Sequence, residues 1–199
     1  MQIQLEDVHY AYGPGQPALR GVSLVIEAGE QVALVGLNGS GKSTLARCLN
    51  GLIRPQRGQV WVGDWEVRLK PVFIMAQRVA SVFQNPDDQL CQRTVADEVA
   101  FGPRQLRWPA ERRAAAVTQA LEWLGLRDQA RAHPYDLGLS ERKLVTLASA
   151  LALDTPVLVL DEPTAGLDGF QVRRLEAVLT ELRRRGTTVI LITHDLDFA

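Results

Sequence analysis

The chain has 199 residues, of which 46% are hydrophobic and 23% charged, a composition that excludes a disordered chain, a fibrous repeat and a small disulfide-stapled scaffold. Lysine plus arginine total 22 and aspartate plus glutamate total 23, so the net charge of −1 argues against a general nucleic-acid-binding protein. The most apolar stretch, residues 144–160, is interrupted by Asp154 and Pro156, so the sequence predicts no membrane span.

The hydrophobic pattern changes character twice along the chain. The first third predicts mainly strands, at residues 3–12, 22–26, 31–35 and 59–67, with one helix over 43–52. The middle predicts helices over residues 94–101, 110–124 and 139–153. The last part predicts a strand at 157–160, an amphipathic helix over 170–185 and a strand at 187–193. This order is typical of an α/β core that carries a helical insertion.

The predicted organisation is a single domain with a discontinuous core. Residues 1–84 and 154–199 are expected to form the α/β core, and residues 85–153 a helical subdomain. The sequence stops five residues after His194, at what is predicted to be the start of a helix. We therefore expect the chain to be cut short soon after that residue.

A glycine-rich segment matches the phosphate-binding pattern GxxxxGK[ST] in full. It consists of Gly36, Leu37, Asn38, Gly39, Ser40, Gly41, Lys42 and Ser43. The segment follows a predicted strand and opens a predicted helix, so backbone N–H groups and the helix N-terminus can surround phosphate oxygens. In this pattern Lys42 neutralises the β- and γ-phosphates and the Ser43 hydroxyl binds Mg²⁺. The sequence therefore predicts the phosphates of a nucleoside triphosphate, together with Mg²⁺, as ligands.

Two carboxylates follow the apolar strand at 157–160. Asp161 and Glu162 would emerge at its carboxyl end, where open α/β sheets bind their ligands. Asp161 suits support of Mg²⁺, and Glu162 suits a general base that polarises an attacking water. His194 follows another predicted strand of the same sheet, from which it could reach the γ-phosphate. These three residues are the predicted partners of the phosphate loop.

The order and approximate spacing of these features resemble those of an ATP-binding-cassette (ABC) ATPase over essentially the whole chain. The matching positions are Tyr12, the loop at 36–44, Gln84, the Asp161–Glu162 pair, Asp168 and His194. The resemblance implies an α/β P-loop NTPase of the ABC ATPase type, with a mixed-sheet core, an antiparallel N-terminal β part and a helical insertion.

The resemblance also implies a role for each matching residue. Tyr12 would stack on adenine, while Lys42, Ser43 and Thr44 would hold the phosphates and the metal. Gln84 would contact Mg²⁺ and the attacking water and would sense a membrane partner.

Four further roles follow from the same resemblance. Asp161 would support the metal and Glu162 would be the general base. His194 would hold the γ-phosphate. Asp168 would lie at the contact between two ATPase subunits.

Residues 81–90 and 94–103 are similar to the ATPases of energy-coupling-factor (ECF) transporters, which import vitamins or transition-metal ions. In that family the region faces the arginine-bearing coupling helices of a transmembrane scaffold subunit, and Asp87 and Asp88 would be suitable partners for those arginines. The resemblance implies a scaffold subunit and a substrate-binding membrane subunit as partners. It places the chain at the cytoplasmic face of the cell membrane, docked by its partner and without nucleic acid.

The chain departs from the family at its signature, Leu-Ser-Gly-Gly-Gln. The matching residues here are Leu137, Gly138, Leu139, Ser140 and Glu141. In this family the signature acts on the ATP of the other subunit, so the chain's own ATP would need a partner with a good signature. This departure favours a heterodimer of ATPase subunits over a homodimer.

The resemblance implies a subunit that couples MgATP binding, dimerisation and hydrolysis to transport across a membrane, and three other functions fit the sequence less well. A soluble ABC-type ATPase of DNA repair or translation is the main alternative, but such proteins tend to carry long coiled-coil insertions, two tandem cassettes or basic surfaces. A small-molecule kinase fits the residues after Glu162 less well. A non-hydrolysing regulatory subunit is disfavoured by the intact Glu162.

Overall fold

The computed structural model describes residues 1–195 and residue 198, which form two compact units. The first unit contains residues 1–81, 155–162 and the described residues from 182 onward, and the second contains residues 82–154 and 163–181. The strands are β1 Ile3–Ala11, β2 Pro17–Ile26, β3 Gln31–Leu34, β4 Arg57–Val62, β5 Trp65–Glu66, β6 Val79–Val82, β7 Val157–Asp161 and β8 Thr188–Ile192. The helices are α1 Lys42–Leu49, α2 Val72–Met75, α3 Val95–Gln105, α4 Ala110–Leu124, α5 Leu139–Leu151 and α6 Gly169–Arg184.

Two four-stranded sheets organise the first unit. One is antiparallel along β1, which pairs with β2 and β4, and its strand order is β2-β1-β4-β5. The other has the order β3-β8-β7-β6 and is parallel where β8 pairs with β3 and with β7. The predicted α/β P-loop architecture, with an antiparallel N-terminal sheet and a separate helical part, is confirmed.

The core of the first unit joins both sheets to α1. All five residues of β7 and all five of β8 are buried, as expected for strands in the middle of a parallel sheet. The core side chains include Ile3, Leu5, Ile26, Val60 and Val62 from the antiparallel sheet, Leu45, Cys48 and Leu49 from α1, and Val157, Val159, Ile190 and Ile192 from the parallel sheet. The core thereby fixes α1 and the carboxyl ends of β7 and β8 within one packed unit.

Several element boundaries differ from the sequence predictions. The predicted strand at 59–67 is two strands, β4 and β5, because Gly63 turns the chain between them with φ 60°. The predicted helix at 43–52 stops at Leu49, and Gly51 then adopts φ 78°, a left-handed conformation that ends helices. Helix α3 continues through Pro103 to Gln105, beyond the predicted end at 101. Helix α2 and strand β6 were not predicted.

The second unit is mainly helical. Helices α3, α4 and α5 pack against one another, and Val95, Val99, Leu121, Leu144 and Leu147 on these helices are buried. Among the residues that the structure describes, none of the helices is long and apolar enough to cross a membrane.

A buried carboxylate organises the start of the second unit. Glu98 is 4% exposed, and its side chain accepts hydrogen bonds from the backbone N–H groups of Cys91 and Gln92 at 2.8 and 2.7 Å. A buried carboxylate is stable only when it is hydrogen-bonded in this way. Glu98 therefore ties the segment before α3 to the helix itself.

Candidate functional site

The predicted phosphate loop joins β3 to α1 and depends on glycine. Gly39 has φ 80° and Gly41 has φ 95°, in the left-handed region that side chains strain. A Cβ atom on Gly41 would also collide with the carbonyl oxygen of Ala18. Because α1 begins at Lys42, directly after this turn, the N–H groups of its first turn have no partner within the helix and can bind an anion.

Lys42 closes over the loop from which it extends. Its Nζ donates hydrogen bonds to the carbonyl oxygens of Gly36 at 2.8 Å and Leu37 at 3.0 Å. Ser40 Oγ lies 3.5 Å from the same Nζ. The ammonium group is thus held at the mouth of the loop, where a phosphate oxygen can exchange for these neutral acceptors.

Ser43 and Asp161 form the part of the site suited to a metal. Asp161, at the end of β7, is 8% exposed and accepts a hydrogen bond from the Ser43 hydroxyl. Burial raises the pKa of the Asp161 carboxyl, the hydrogen bond from Ser43 opposes that rise, and the neighbouring Glu162 adds to it. Mg²⁺ prefers hard oxygen ligands and is usually bound by one or two carboxylates together with phosphates and waters. The Asp161 carboxylate and the Ser43 hydroxyl fit this ligand set. Among the described residues no cluster of three or more His, Cys, Asp or Glu forms a metal cage.

The substitution Asp161→Asn is expected to stabilise the nucleotide-free fold by on the order of 1 kcal/mol at neutral pH. Burial holds the pKa of the Asp161 carboxyl in the folded protein above its value in the unfolded chain. As the pH rises through the range between these two pKa values, the unfolded chain loses its proton first, so the free energy of unfolding falls. The gain from Asn should therefore be small near pH 4 and larger at pH 7.

Thermal unfolding of the two proteins at both pH values measures this difference, with the exposed Asp128→Asn as the matched control. A lower melting temperature for Asp161→Asn at pH 7 would contradict the expectation.

Glu162 and His194 meet at the carboxyl ends of β7 and β8. Nδ1 of His194 lies 2.8 Å from Oε1 of Glu162, and the Thr193 hydroxyl lies 3.4 Å from Oε2. The Glu162 side chain is 9% exposed, whereas that of His194 is 72% exposed. When Nδ1–H donates to the carboxylate, Nε2 is the ring nitrogen that remains available to contact a ligand. Thr193 was not singled out by the sequence analysis, although it directly precedes His194.

The backbone of Glu162 is strained. Its φ is 49°, a left-handed conformation that costs a residue with a side chain roughly 1–2 kcal/mol. The amide of Glu162 donates to the carbonyl of Ile192 at 2.8 Å, which fixes the turn to the end of β8. Strain of this kind concentrates at functional sites, where it orients a side chain that regular structure would place elsewhere.

Tyr12 lies beside the loop helix with much of its ring accessible. Tyr12 is 55% exposed, and its hydroxyl lies 3.2 Å from Oγ1 of the buried Thr44. Arg47 Nη1 lies 3.5 Å from the same hydroxyl. Tyr10 supports the ring edge-on, with the ring centroids 5.1 Å apart. The face of Tyr12 can therefore receive a planar group.

The segment that matches the family signature forms the start of α5 in the second unit. Gly138 precedes the helix, and its N–H donates to Oε2 of Glu141 at 3.0 Å, which is one half of a capping box. Leu139 is 56% exposed. A Cβ on Gly138 would have only Glu141 Oε2 nearby, at 3.6 Å, so a serine fits there.

Asp168 has a structural role that the sequence analysis did not assign. Its Oδ1 accepts hydrogen bonds from the N–H groups of Phe170 at 2.9 Å and Gln171 at 2.8 Å. The Gln171 side chain in turn accepts from the Asp168 N–H at 3.0 Å. Asp168 thus caps α6, and the Asp-x-x-Gln spacing was the sequence signal for it. The predicted contact with a second ATPase subunit remains a prediction.

Gln84, Asp87 and Asp88 are exposed residues of the second unit. Asp87 already has an internal partner, because Arg142 Nη1 lies 3.0 Å from its Oδ1. Asp88 Oδ1 lies 3.3 Å from the Asn85 amide. The ion pair between Asp87 and Arg142 joins the segment after β6 to α5, a link between residues 55 positions apart that the sequence did not reveal.

The next residue of α5 makes a second link. Lys143 is 3% exposed, and its Nζ donates to the carbonyl oxygen of Ala165 at 3.0 Å. Arg142 and Lys143 therefore tether α5 to the segment before α3 and to the loop before α6. Neither residue was singled out by the sequence analysis.

Comparisons with known proteins agree with this geometry. The sequence profile of the ABC transporter family matches residues 19–165. The energy-coupling factor transporter ATP-binding protein EcfA of Methanothermobacter thermautotrophicus is 41% identical over 98% of the chain, and the chain spans 63% of that relative's length. The predicted resemblance to ABC ATPases, and to those of ECF transporters in particular, is thereby confirmed.

Two solved structures share the fold. The cbiO1 protein of Clostridium perfringens, described as part of the ABC transporter complex cbiONQ, has a TM-score of 0.84 and 32% identity, over 99% of this chain and 80% of that one. The cassette MJ0796, a dimer bound to ADP and Pi, has a TM-score of 0.91 and 27% identity, over 99% and 90% of the two chains. ATP hydrolysis coupled to transport, the predicted activity, is the activity of this family. The chain therefore belongs to the ABC transporter family, as an ATP-binding ATPase.

Proposed function

We propose that the chain is the ATP-hydrolysing subunit of an ECF-type importer of a vitamin or a transition-metal ion. The observation that carries the proposal is the contact between Glu162 and His194 at the strand ends, in the same unit as the phosphate loop. A buried carboxylate that is held in position by an imidazole can accept a proton from an attacking water. The name of the EcfA relative supports the ECF assignment. In this proposal the subunit works at the cytoplasmic face of the membrane, docked by its partners.

The first step is binding of the triphosphate. Lys42 exchanges its two loop carbonyls for the β- and γ-phosphates, and the N–H groups at the start of α1 take further oxygens. The exposed ring of Tyr12 stacks on adenine, with Thr44 holding its hydroxyl. Ser43 and Asp161 supply the oxygens that would hold Mg²⁺. When bound, the ion neutralises charge that develops on the β- and γ-phosphates.

Hydrolysis needs a water in line with the γ-phosphate. Glu162 accepts a proton from this water as its oxygen attacks phosphorus and the bond to the β-phosphate breaks. His194 orients the carboxylate through Nδ1–H, and when the imidazole carries a proton on both nitrogens its Nε2–H donates to a γ-phosphate oxygen. Gln84 is the proposed contact to the metal and the water. Most of the rate enhancement comes from positioning and charge stabilisation.

ABC ATPases dimerise, and each signature acts on the ATP held by the other subunit. We propose that this chain works in a heterodimer, because Gly138 and Leu139 replace the serine and the first glycine of the signature. Leu139 is exposed at the start of α5, so its side chain would stand between the helix and a phosphate of the facing subunit. Asp168 is the proposed dimer contact in addition to its capping role.

Restoring the signature with Gly138→Ser and Leu139→Gly is expected to raise the ATPase activity of a homodimer about tenfold or more. The restored serine adds a hydroxyl donor, and the glycine opens the approach to its backbone. Gly138→Ser alone should change stability by only a few tenths of a kcal/mol, because glycine and serine are both accepted caps.

Steady-state hydrolysis by the double variant is compared with that of Gly138→Ser and Leu139→Gly made singly. An unchanged rate in a confirmed dimer would mean that the altered signature is not what limits hydrolysis.

Charge reversal of the docking acids, Asp87→Lys with Asp88→Lys, is expected to abolish co-purification with a transmembrane scaffold subunit. Both carboxylates are exposed, and arginines of a scaffold would form charge-assisted hydrogen bonds with them. The amount of scaffold that co-purifies from detergent-solubilised membranes is the measurement.

Two controls separate docking from internal structure. Arg142→Gln removes the internal ion pair of Asp87 and should leave docking intact. Asp128→Lys reverses the charge of an exposed aspartate elsewhere on the second unit and should also leave co-purification unchanged. Undiminished co-purification of the double reversal would discard this contact.

A further inference from the structure

The connection between α3 and α4 concentrates positive charge. Between residues 99 and 121 the chain has four arginines and one acidic residue, Glu111, whereas acidic residues outnumber lysine and arginine in the rest of the chain. The arginine turn, as we name it, consists of Arg104, Arg107, Arg112 and Arg113 with the aromatic residues Phe101 and Trp108. Arg104, Arg107 and Arg112 are exposed. All of these residues belong to the second unit.

Arg107 occupies a backbone position that favours glycine. Its φ is 55°, its N–H donates to the carbonyl of Arg104 at 3.0 Å, and the N–H of Trp108 donates to the carbonyl of Pro103 at 3.1 Å. These two hydrogen bonds are the Schellman ending of a helix, in which the left-handed residue is usually glycine. A side chain here strains the backbone, and such an outlier points to a use for that side chain.

Two of the arginines lie near aromatic rings, and one of them, Arg112, is at stacking distance. The guanidinium carbon of Arg112 lies 3.6 Å from the centroid of the Trp108 ring, and that of Arg104 lies 5.9 Å from the Phe101 ring. Arg104 Nη2 also donates to Oε1 of Gln92 at 3.0 Å. Stacking fixes a guanidinium plane while its edge N–H groups remain donors for phosphate oxygens. The turn therefore presents oriented phosphate-binding groups rather than a diffuse positive surface.

We propose that the arginine turn binds the phosphate groups of anionic phospholipids, so that the subunit contacts the membrane surface directly. Arginines beside tryptophan and phenylalanine match the headgroup level of a bilayer, where amphipathic rings and basic side chains concentrate. A nucleic acid fits less well, because the excess of acidic residues outside the turn repels a long polyanion. This inference requires neither a particular cargo nor a particular scaffold.

Vesicle flotation tests the proposal with the chain itself. The protein should float with vesicles of phosphatidylglycerol and phosphatidylcholine and remain behind with phosphatidylcholine alone. The triple variant Arg104→Ala, Arg107→Ala and Arg112→Ala should bind about a hundredfold more weakly, at about fivefold per arginine. The matched control, Arg183→Ala, Arg184→Ala and Arg185→Ala, removes the same charge from exposed residues outside the arginine turn and should bind like the parent.

A second variant separates lipid binding from folding. Arg107→Gly relieves the positive φ, so it should raise the melting temperature while weakening vesicle binding about fivefold. ATP hydrolysis should be unchanged in every variant, which distinguishes failure of this proposal from failure of the transport proposal. Equal loss in both triple variants, no flotation with phosphatidylglycerol, or tighter binding to duplex DNA than to vesicles would each overturn the inference.

Discussion

Glu162→Gln is expected to keep ATP binding and to lose turnover by about a hundredfold or more. Glutamine has the size of glutamate and can still accept from His194 Nδ1, so the geometry at the ends of β7 and β8 is preserved. The amide has no basic oxygen to take a proton from the attacking water. The ATP-bound dimer should therefore accumulate in place of turning over.

Nucleotide binding and phosphate release are measured separately for this variant. Glu176→Gln, the same change at an exposed position of α6, is the control and should behave like the parent. Hydrolysis at the parental rate by Glu162→Gln would remove the base assignment, and lost ATP binding would show that the carboxylate has a different role.

Lys42→Met is expected to weaken ATP binding by roughly 30- to 1000-fold and to abolish hydrolysis with it. Methionine retains the length of the aliphatic stem and loses the ammonium group. The loop also loses the two hydrogen bonds from Nζ to the carbonyls of Gly36 and Leu37. Both effects act on the phosphate site, so affinity and turnover should fall together, unlike in Glu162→Gln.

Titration with a fluorescent ATP analogue measures the affinity. Lys70→Met is the matched control, since Lys70 lies over the Trp65 ring, away from the phosphate loop in sequence. ATP affinity within a factor of two or three of the parent would contradict the role given to Lys42.

Features determined by local sequence were predictable. The phosphate loop needs a strand, glycines and a helix start in direct succession, and all are contiguous in residues 31–49. The fully buried strands β7 and β8 were visible as short apolar runs followed by Asp161 and His194. Because the carboxyl ends of parallel neighbours meet, the proximity of their polar side chains followed from the pattern.

Features that depend on distant partners were not predictable. The ion pair between Asp87 and Arg142 joins two surface-like residues far apart in sequence, and neither has a pattern that names its partner. The sequence around Lys143 is that of an ordinary helix, and nothing in it indicates that Lys143 is buried and donates to the carbonyl oxygen of Ala165. The left-handed φ values of Glu162 and Arg107 could not be predicted either, because in a sequence glycine is the residue that indicates such a position.

The most direct test of the transport function is affinity purification of the protein from detergent-solubilised membranes, with its partners identified by mass spectrometry. We expect a polytopic scaffold subunit together with a second ATPase whose signature has the serine and glycine that this chain lacks at positions 138 and 139, where Gly138 and Leu139 stand. Soluble partners alone, or nucleic acid, would contradict the transport function and leave only the ATPase assignment.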